Sequence, residues 1–202
     1  MITETMPILF IALSYFLGAI PFGLLFGRMF SGIDVRTKGS GNIGATNVLR
    51  ASGKKAAVLT LVADALKGLL PVLAARFLFH DDWITAGSGI AAVLGHAFPV
   101  YLKFRGGKGV ATSYGVILAV APWTGLLCLI IWLGAAWLWR YSSLAALVSF
   151  ACYPVLTFST PTTSASHASG LLSLFIFGMI YFRHRENIKR LLIGSESKIG
   201  EK

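Results

Sequence analysis

Acidic residues are scarce in this sequence. Only 8 Asp and Glu stand against 18 Lys and Arg in 202 residues, and charged residues of both signs make up 13% of the chain. A soluble domain carries about 25% charge. That shortfall, with 55% hydrophobic residues and a mean hydropathy of +0.73, excludes an ordinary soluble domain and places the chain in the integral membrane class. Cysteine is nearly missing. Cys128 and Cys152 both lie inside apolar runs, and no CxxC occurs, so they read as small core hydrophobes and not as a disulfide or a metal site. No HEXXH or other His/Cys metal spacing is present, and "AGSGI" has the wrong offsets for a nucleophile elbow. There is no internal repeat, no coiled coil, no low-complexity segment and no extramembrane domain. The chain reads as one polytopic domain over residues 1–202, with a longest connection at 31–55.

What the chain has in abundance is apolar runs. They are Met6–Phe30, Ala56–Phe79, Trp83–Tyr101, Val110–Ala121, Trp123–Trp139, Leu144–Phe158 and Ala168–Phe182. They are too many for a signal peptide, so Met1–Ser31 reads as a first span and not a cleaved leader. Crossing ~30 Å of hydrocarbon takes about 20 residues. Val110–Ala121 reaches only roughly 18 Å. It is either a short protein-buried helix or the first half of one kinked span running to Trp139 with Pro122 at the break. Charge parity favours seven spans. The connections 31–55, 102–109, 140–143 and 183–202, with Arg28 at their edge, then hold every Lys and Arg except Lys67 and Arg76. The connections 1–5, 80–82, 122 and 159–167 hold Glu4, Asp81 and Asp82 and no cation. By the positive-inside rule the expectation is an all-α protein with seven transmembrane helices, N-terminus periplasmic and C-terminus cytoplasmic. Within the second span, Asp64 and Lys67 share a helix face and read as a mutually neutralising pair. Arg76 reads as snorkelling to the outer surface.

This parity brings three unusual polar stretches to one side of the membrane. In "KGSGNIGATNVLR", residues 38–50, Ser40, Asn42, Thr46 and Asn47 can donate to a polyol or phosphoryl oxygen, and Arg50 can clamp an oxyanion with two donors. In "GHAFPVYLKFRGGKGVAT", residues 95–112, Gly106, Gly107 and Gly109 surround Lys108 ahead of an apolar helix. That is an anion nest. It is not a Walker A loop, because Gly109 follows the Lys where Ser or Thr is needed. In "RHRENIKRL", residues 183–191, His184 and Asn187 are hard to explain as a plain basic tail. His96 sits at the inner end of its span and is a candidate base. His80 and His167 fall on the outer side. Cations in a soluble protein would suggest nucleic acid; here orientation and anionic substrates explain them, and no nucleic-acid partner is expected.

With the residues in view, "GSGNIGATNVLR", "GHAFPVYLKFRGGKGVAT" and "YFRHRENIKRL" resemble the three signature motifs of the bacterial acyl-phosphate:glycerol-3-phosphate acyltransferases of the PlsY type. The likeness extends over the whole chain. It implies an inner-membrane enzyme with its active site facing the cytoplasm. The reaction implied is transfer of a fatty acyl group from acyl phosphate to the 1-hydroxyl of sn-glycerol 3-phosphate, giving lysophosphatidic acid and phosphate. The implied catalytic residues are Ser40, Arg50, His96 and Asn187. The implied substrate-binding residues are Asn42, Asn47, Gly106, Gly107, Lys108, Gly109, Ser143, His184 and Glu186. No cofactor or metal is expected, and the chain is expected to act as a monomer among membrane lipid. The chain also lacks a His followed five residues later by Asp, the pair used by soluble-headed acyltransferases that take acyl-CoA. The rival expectations are an organic-phosphate transporter, or an acyltransferase drawing on acyl-CoA or acyl carrier protein. A transporter needs a polar path near the midplane, where this chain offers little beyond Asp64 and Lys67.

Overall fold

A computed structural model describes residues 2–159 and 167–200, the side chains of residues 2–4 excepted. The expected outer connection 159–167 therefore lies largely outside the described residues. The described chain forms nine α-helices and no strand: α1 Ile2–Gly18, α2 Phe22–Ser31, α3 Ala45–Phe79, α4 Asp82–Ala97, α5 Val110–Val120, α6 Pro122–Trp139, α7 Ser142–Ser159, α8 His167–Arg183 and α9 Arg185–Leu192. Each of the seven apolar runs carries a helix. Thr5–Ser31, Ala45–Phe79, Asp82–Leu102, Pro122–Trp139 and Ser142–Ser159 are long and apolar enough to cross a bilayer, while Val110–Val120 and His167–Arg183 are shorter. Large apolar side chains face outward along these helices, among them Phe77, Trp123 and Trp137, each more than three-quarters exposed. Only lipid tolerates such a surface.

Three features depart from, or decide between, the sequence expectations. The first apolar run is not one rod. It breaks over residues 19–21, where Pro21 has no N–H to continue the ladder, and Lys67 of α3 donates to the freed Ile20 carbonyl at 2.8 Å. The 31–55 connection is shorter than it reads, because helix resumes at Ala45 and bends at Gly53, whose φ of 84° suits glycine. Pro122 marks a reversal and not a kink. The Tyr114 hydroxyl lies 3.4 Å from the Cys128 carbonyl and 2.7 Å from the Ser149 hydroxyl. Fourteen residues of continuous helix would separate Tyr114 from Cys128 by roughly 21 Å, so α5 and α6 double back on each other. Arg76 also differs from expectation: it donates to the Ala119 and Val120 carbonyls, at 3.3 and 3.4 Å, at the C-terminal end of α5.

The core is built on small residues. With lipid outside, helices gain little from burying apolar surface against one another and associate through close packing. A Cβ at Gly115 would overlap the Ala65 carbonyl, and one at Gly68 would overlap the Thr112 carbonyl, so α3 and α5 cross in backbone contact. Gly18 and Gly95 do the same for α1 and α4. Around these crossings Val72, Val93, Ile117, Phe150, Leu172, Ile176 and Ile180 form one buried cluster. Cys128 and Cys152 are both free thiols, Cys128 buried within that cluster. A smaller cluster of Leu24, Val35, Ile43, Val48 and Ala56 anchors the turn between α2 and α3.

The α3–α5 crossing predicts that Gly115→Val forces the helices apart and costs about 1–3 kcal/mol of stability, the usual cost of overpacking. Thermal denaturation in detergent checks this, and a variant melting with the parent contradicts the packing.

Candidate active site

The first polar stretch folds around one side chain. Asn47, buried in the first turn of α3, donates through Nδ2 to the carbonyls of Val35, Lys38 and Asn42 at 2.9, 3.1 and 2.8 Å, and accepts from the Ser40 amide at 2.9 Å. Its amide is therefore spent on the loop. The loop needs this because it has no ladder to satisfy its carbonyls. Asn42 accepts from the Gly44 amide at 2.8 Å, an Asx turn that leads into α3. Gly39, at φ 56°, lies so close to Asn47 that a Cβ would overlap its Oδ1. The consequence is a rigid presentation of Ser40, whose side chain is exposed. Arg28 and Arg36 are both tied to Asp34, at 3.3 and 2.6 Å. Arg50, one helical stretch further on, has no ion-pair partner within 4 Å among the described residues and remains available to an outside anion.

The second stretch is a glycine loop folded against His96. The Gly106 and Gly107 amides donate to the Ala97 and His96 carbonyls at 3.2 and 3.1 Å. Of the expected nest, these two amides are thus already committed to the chain itself. Gly107 is glycine for another reason: a Cβ there would overlap His96 at Nε2. Arg183 closes the loop from α8, with Nε donating to the Gly107 carbonyl at 3.0 Å and Nη2 to the Gly106 carbonyl at 2.8 Å. Its guanidinium lies 5.2 Å from the centre of the Phe98 ring. His96 is buried, and its Nδ1 stands 3.7 Å from Asp64, too long for a direct hydrogen bond. Asp64 pairs with Lys67 at 2.8 Å with both side chains buried. The neutralising pair read from sequence is present, and it also bears on His96.

Lys108 leaves this loop toward the third stretch. Burial pulls its ammonium down to about 8, and the cations Arg190, Arg183 and Arg50 add to that pull, opposed by Glu196. Three donors converge on the carboxylate whose charge opposes that pull. Ser143, at the start of α7, and Asn187, on α9, each donate to one carboxylate oxygen of Glu196 at 2.6 Å, and Arg190 donates to the other at 2.7 Å. His184 is buried at the α8–α9 joint, with Nδ1 donating to the Ile180 carbonyl at 2.8 Å. Burial and the nearby Lys108 hold this imidazole down at about 4, so it stays neutral with Nε2 as an acceptor. Glu186 is not brought in. It is exposed and pairs with Arg185 and Lys189 on the surface. The first stretch reaches the same end of the bundle, since the Thr46 and Ser142 hydroxyls stand 3.3 Å apart.

The result is a half-buried cluster of donors and cations about one carboxylate. Such a site holds an anion and suits charge that develops on oxygen. No group of three or more metal-ligating side chains occurs among the described residues. Arg183, Arg190 and Glu196 were not marked as site residues by the sequence. For the two arginines the signal, a basic tail, is shared by most last spans; for Glu196 it was a lone acid after a basic helix.

Comparison with known proteins places the chain in a family. A family model described as glycerol-3-phosphate acyltransferase matches residues 8–194. A curated glycerol-3-phosphate acyltransferase of Trichlorobacter lovleyi is 46% identical over 196 residues, covering 96% of this chain and 98% of its own. That of Neisseria meningitidis serogroup C, serotype 2a, is 47% identical over 197 residues, covering 95% and 96%. Among solved structures, the integral membrane glycerol 3-phosphate acyltransferase PlsY in its glycerol 3-phosphate form superposes with a TM-score of 0.91 at 41% identity, covering 96% of each chain. Its lysophosphatidic acid form gives 0.89 at 40% identity, covering 96% of this chain and 95% of that one. The chain belongs to the glycerol-3-phosphate acyltransferase family.

Proposed function

We propose that this protein transfers a fatty acyl group from acyl phosphate to the 1-hydroxyl of sn-glycerol 3-phosphate at the cytoplasmic face of the inner membrane, with seven spans and its N-terminus outside. The observation that carries the reading is the cluster at the start of α7 and on α9, where Ser143, Asn187 and Arg190 donate to a carboxylate within the electrostatic reach of Lys108. A pocket that holds a carboxylate with these donors suits a phosphate. The related PlsY structures in glycerol 3-phosphate and lysophosphatidic acid forms support that choice of substrate.

The chemistry asks little of the protein beyond positioning. Acyl phosphate is a mixed anhydride and already activated, so no acyl-enzyme is required. The hydroxyl oxygen attacks the acyl carbon, the new ester C–O bond forms, and the acyl C–O bond to phosphate breaks. Inorganic phosphate leaves with the electron pair, and the hydroxyl proton ends on a phosphate oxygen. Two anions must be held together against repulsion, which is the work of Lys108 and Arg50. Ser40 is presented by the Asn47-braced loop to orient a substrate oxygen. Asn42 and Asn47 act through that loop, and Gly106, Gly107 and Gly109 through the backbone path that brings Lys108 to the pocket. His184 accepts through Nε2. Each fixed donor is worth about 3 kcal/mol at the transition state. His96 lies under the glycine loop and supports its shape, and the reactivity of the donor makes a dedicated base unnecessary. The acyl chain lies among lipid-facing helices, which explains why a reaction on a water-soluble polyol phosphate uses a membrane protein.

The deciding assay uses the purified chain in detergent with acyl phosphate and glycerol 3-phosphate, following phosphate release and lysophosphatidic acid. Product is expected with acyl phosphate; product only with acyl-CoA or acyl carrier protein would overturn the donor. In the same assay His96→Ala is expected to keep kcat within about tenfold, because a lost general base costs 10²–10⁴-fold. A loss on that larger scale at unchanged KM would restore His96 as the base.

A pH dependence follows from Lys108. The ammonium is charged below about 8 and neutral above it. The second ionisation of a phosphate monoester lies near 6, outside that window. The KM for glycerol 3-phosphate is therefore expected to rise as pH climbs through 8, and Lys108→Arg to abolish the rise. A flat KM from pH 7 to 9 in the parent contradicts the role given to Lys108.

A further inference from the structure

One buried ion pair takes no part in the proposed chemistry. Among the described residues, Asp64 and Lys67 of α3 form the one lysine–carboxylate pair with both side chains buried, at 2.8 Å. As neutralisation alone the pair gains nothing, because apolar residues of similar volume in its place are often as stable or more so. Charges inside a span mark function by default. We infer that Asp64 and Lys67 are positioning residues for the reaction: the pair sets the register between the loop that presents Ser40 and the loop that carries Lys108. The inference rests on the acyl transfer proposed for this chain.

Each member of the pair holds a different loop. Lys67 reaches from α3 to the break in the first apolar run. Its Nζ donates to the Ile20 carbonyl at 2.8 Å and stands 5.6 Å from the centre of the Phe22 ring, where α2 begins. The ammonium thereby fixes the angle at which α2 leaves α1. The first loop rides on α2. A Cβ at Gly23 would overlap the Ile43 carbonyl, and Leu24 shares a buried cluster with Val35, Ile43 and Val48. Val35 and Ile43 bracket Ser40 in the chain, and the hydrogen bonds of Asn47 already make that segment rigid. A shift of α2 therefore carries Ser40 with it.

Asp64 faces α4. The oxygen that meets Lys67, Oδ1, also lies 3.7 Å from His96 Nδ1, and that nitrogen has no hydrogen-bond partner among the described residues. His96 is the floor of the second loop. Its carbonyl accepts from the Gly107 amide at 3.1 Å, and its Nε2 lies where a side chain on Gly107 would stand. Lys108 follows directly. One carboxylate oxygen thus stands between the cation that holds α2 and the imidazole beneath the glycine loop. The two loops also meet at Leu102, which packs against the cluster of Leu24 and Val35. An apolar contact is non-directional and does not by itself fix a register.

The test compares the parent with the double variant Asp64→Leu, Lys67→Met, purified in detergent. Both charges leave together, so no lone charge stays buried, and a pair that only neutralised itself would be dispensable. Melting near that of the parent is expected. The kcat is expected to fall about 10²-fold with KM for glycerol 3-phosphate near its parental value, because about 1 Å of misplacement costs a rate of that order while each loop keeps its own donors. His96→Ala costs less because it leaves the hold of Lys67 on Ile20 in place. The loops are read directly by spin labels on Lys38→Cys and Arg105→Cys, both exposed positions, in a chain lacking Cys128 and Cys152. The distance distribution between the labels is expected to shift or broaden in the double variant. If that variant does not melt cooperatively, Asp64→Glu, which keeps the pair neutral and lengthens it by one methylene, is read in the same way. Parental kcat in a folded variant overturns the inference, and so does a lost kcat with the label distances unchanged. The two readings fail separately. A shifted label distance in a chain whose parent transfers no acyl group would count against the enzyme assignment alone. Acyl transfer at the parental rate in the double variant would count against the positioning role alone.

Discussion

Positive charge held without enough negative charge at one end of an apolar bundle is the constraint on which the rest depends. Lys108 is drawn out of water among Arg50, Arg183 and Arg190, and burial already costs it part of its proton affinity. Nothing inside the lipid-facing bundle relieves this, because the buried acid Asp64 is committed to Lys67. A nearby anion offsets part of this repulsion, and the chain supplies one in Glu196. The same arrangement makes the pocket useful for a substrate that brings its own phosphate.

The scaffold around the pocket is built to hold shape without help from the hydrophobic effect. Close backbone crossings through Gly68, Gly115, Gly18 and Gly95 fix the helices. Loop geometry comes from single side chains that each satisfy several backbone groups. Asn47 braces the first loop with four hydrogen bonds, and Arg183 braces the glycine loop with two. Loops braced this way present Ser40 and Lys108 at fixed positions, and catalysis that relies on positioning requires that.

Much of this was legible in the sequence, for definable reasons. Helix positions follow from long apolar runs, and α5 and α6 are separate helices although Val110–Val120 is short. The three polar stretches were legible because glycine, amide and cation without acid is a rare composition. What stayed hidden is what depends on contacts across the chain. Apolar composition does not show that the first run breaks at residues 19–21, since the break is stabilised by Lys67 from another helix. Spacing suggested that Gly106 and Gly107 help form an anion nest, but the return of the chain past His96 takes up their amides. Glu186 was drawn in by its motif, yet it stands on the outer face of α9 beside Lys189. Glu196 was not marked, because its contact with Ser143, 53 residues away, arises only when the tail folds back.

The central claim is that segments far apart in sequence gather on one membrane face as a single electropositive pocket. Single cysteines at Ser40, Lys108 and Asn187, in a chain otherwise lacking Cys128 and Cys152, test it with a membrane-impermeant thiol reagent on right-side-out and inverted vesicles. All three are expected to label from the cytoplasmic side only. Labelling of any one of them from the opposite side would contradict the account.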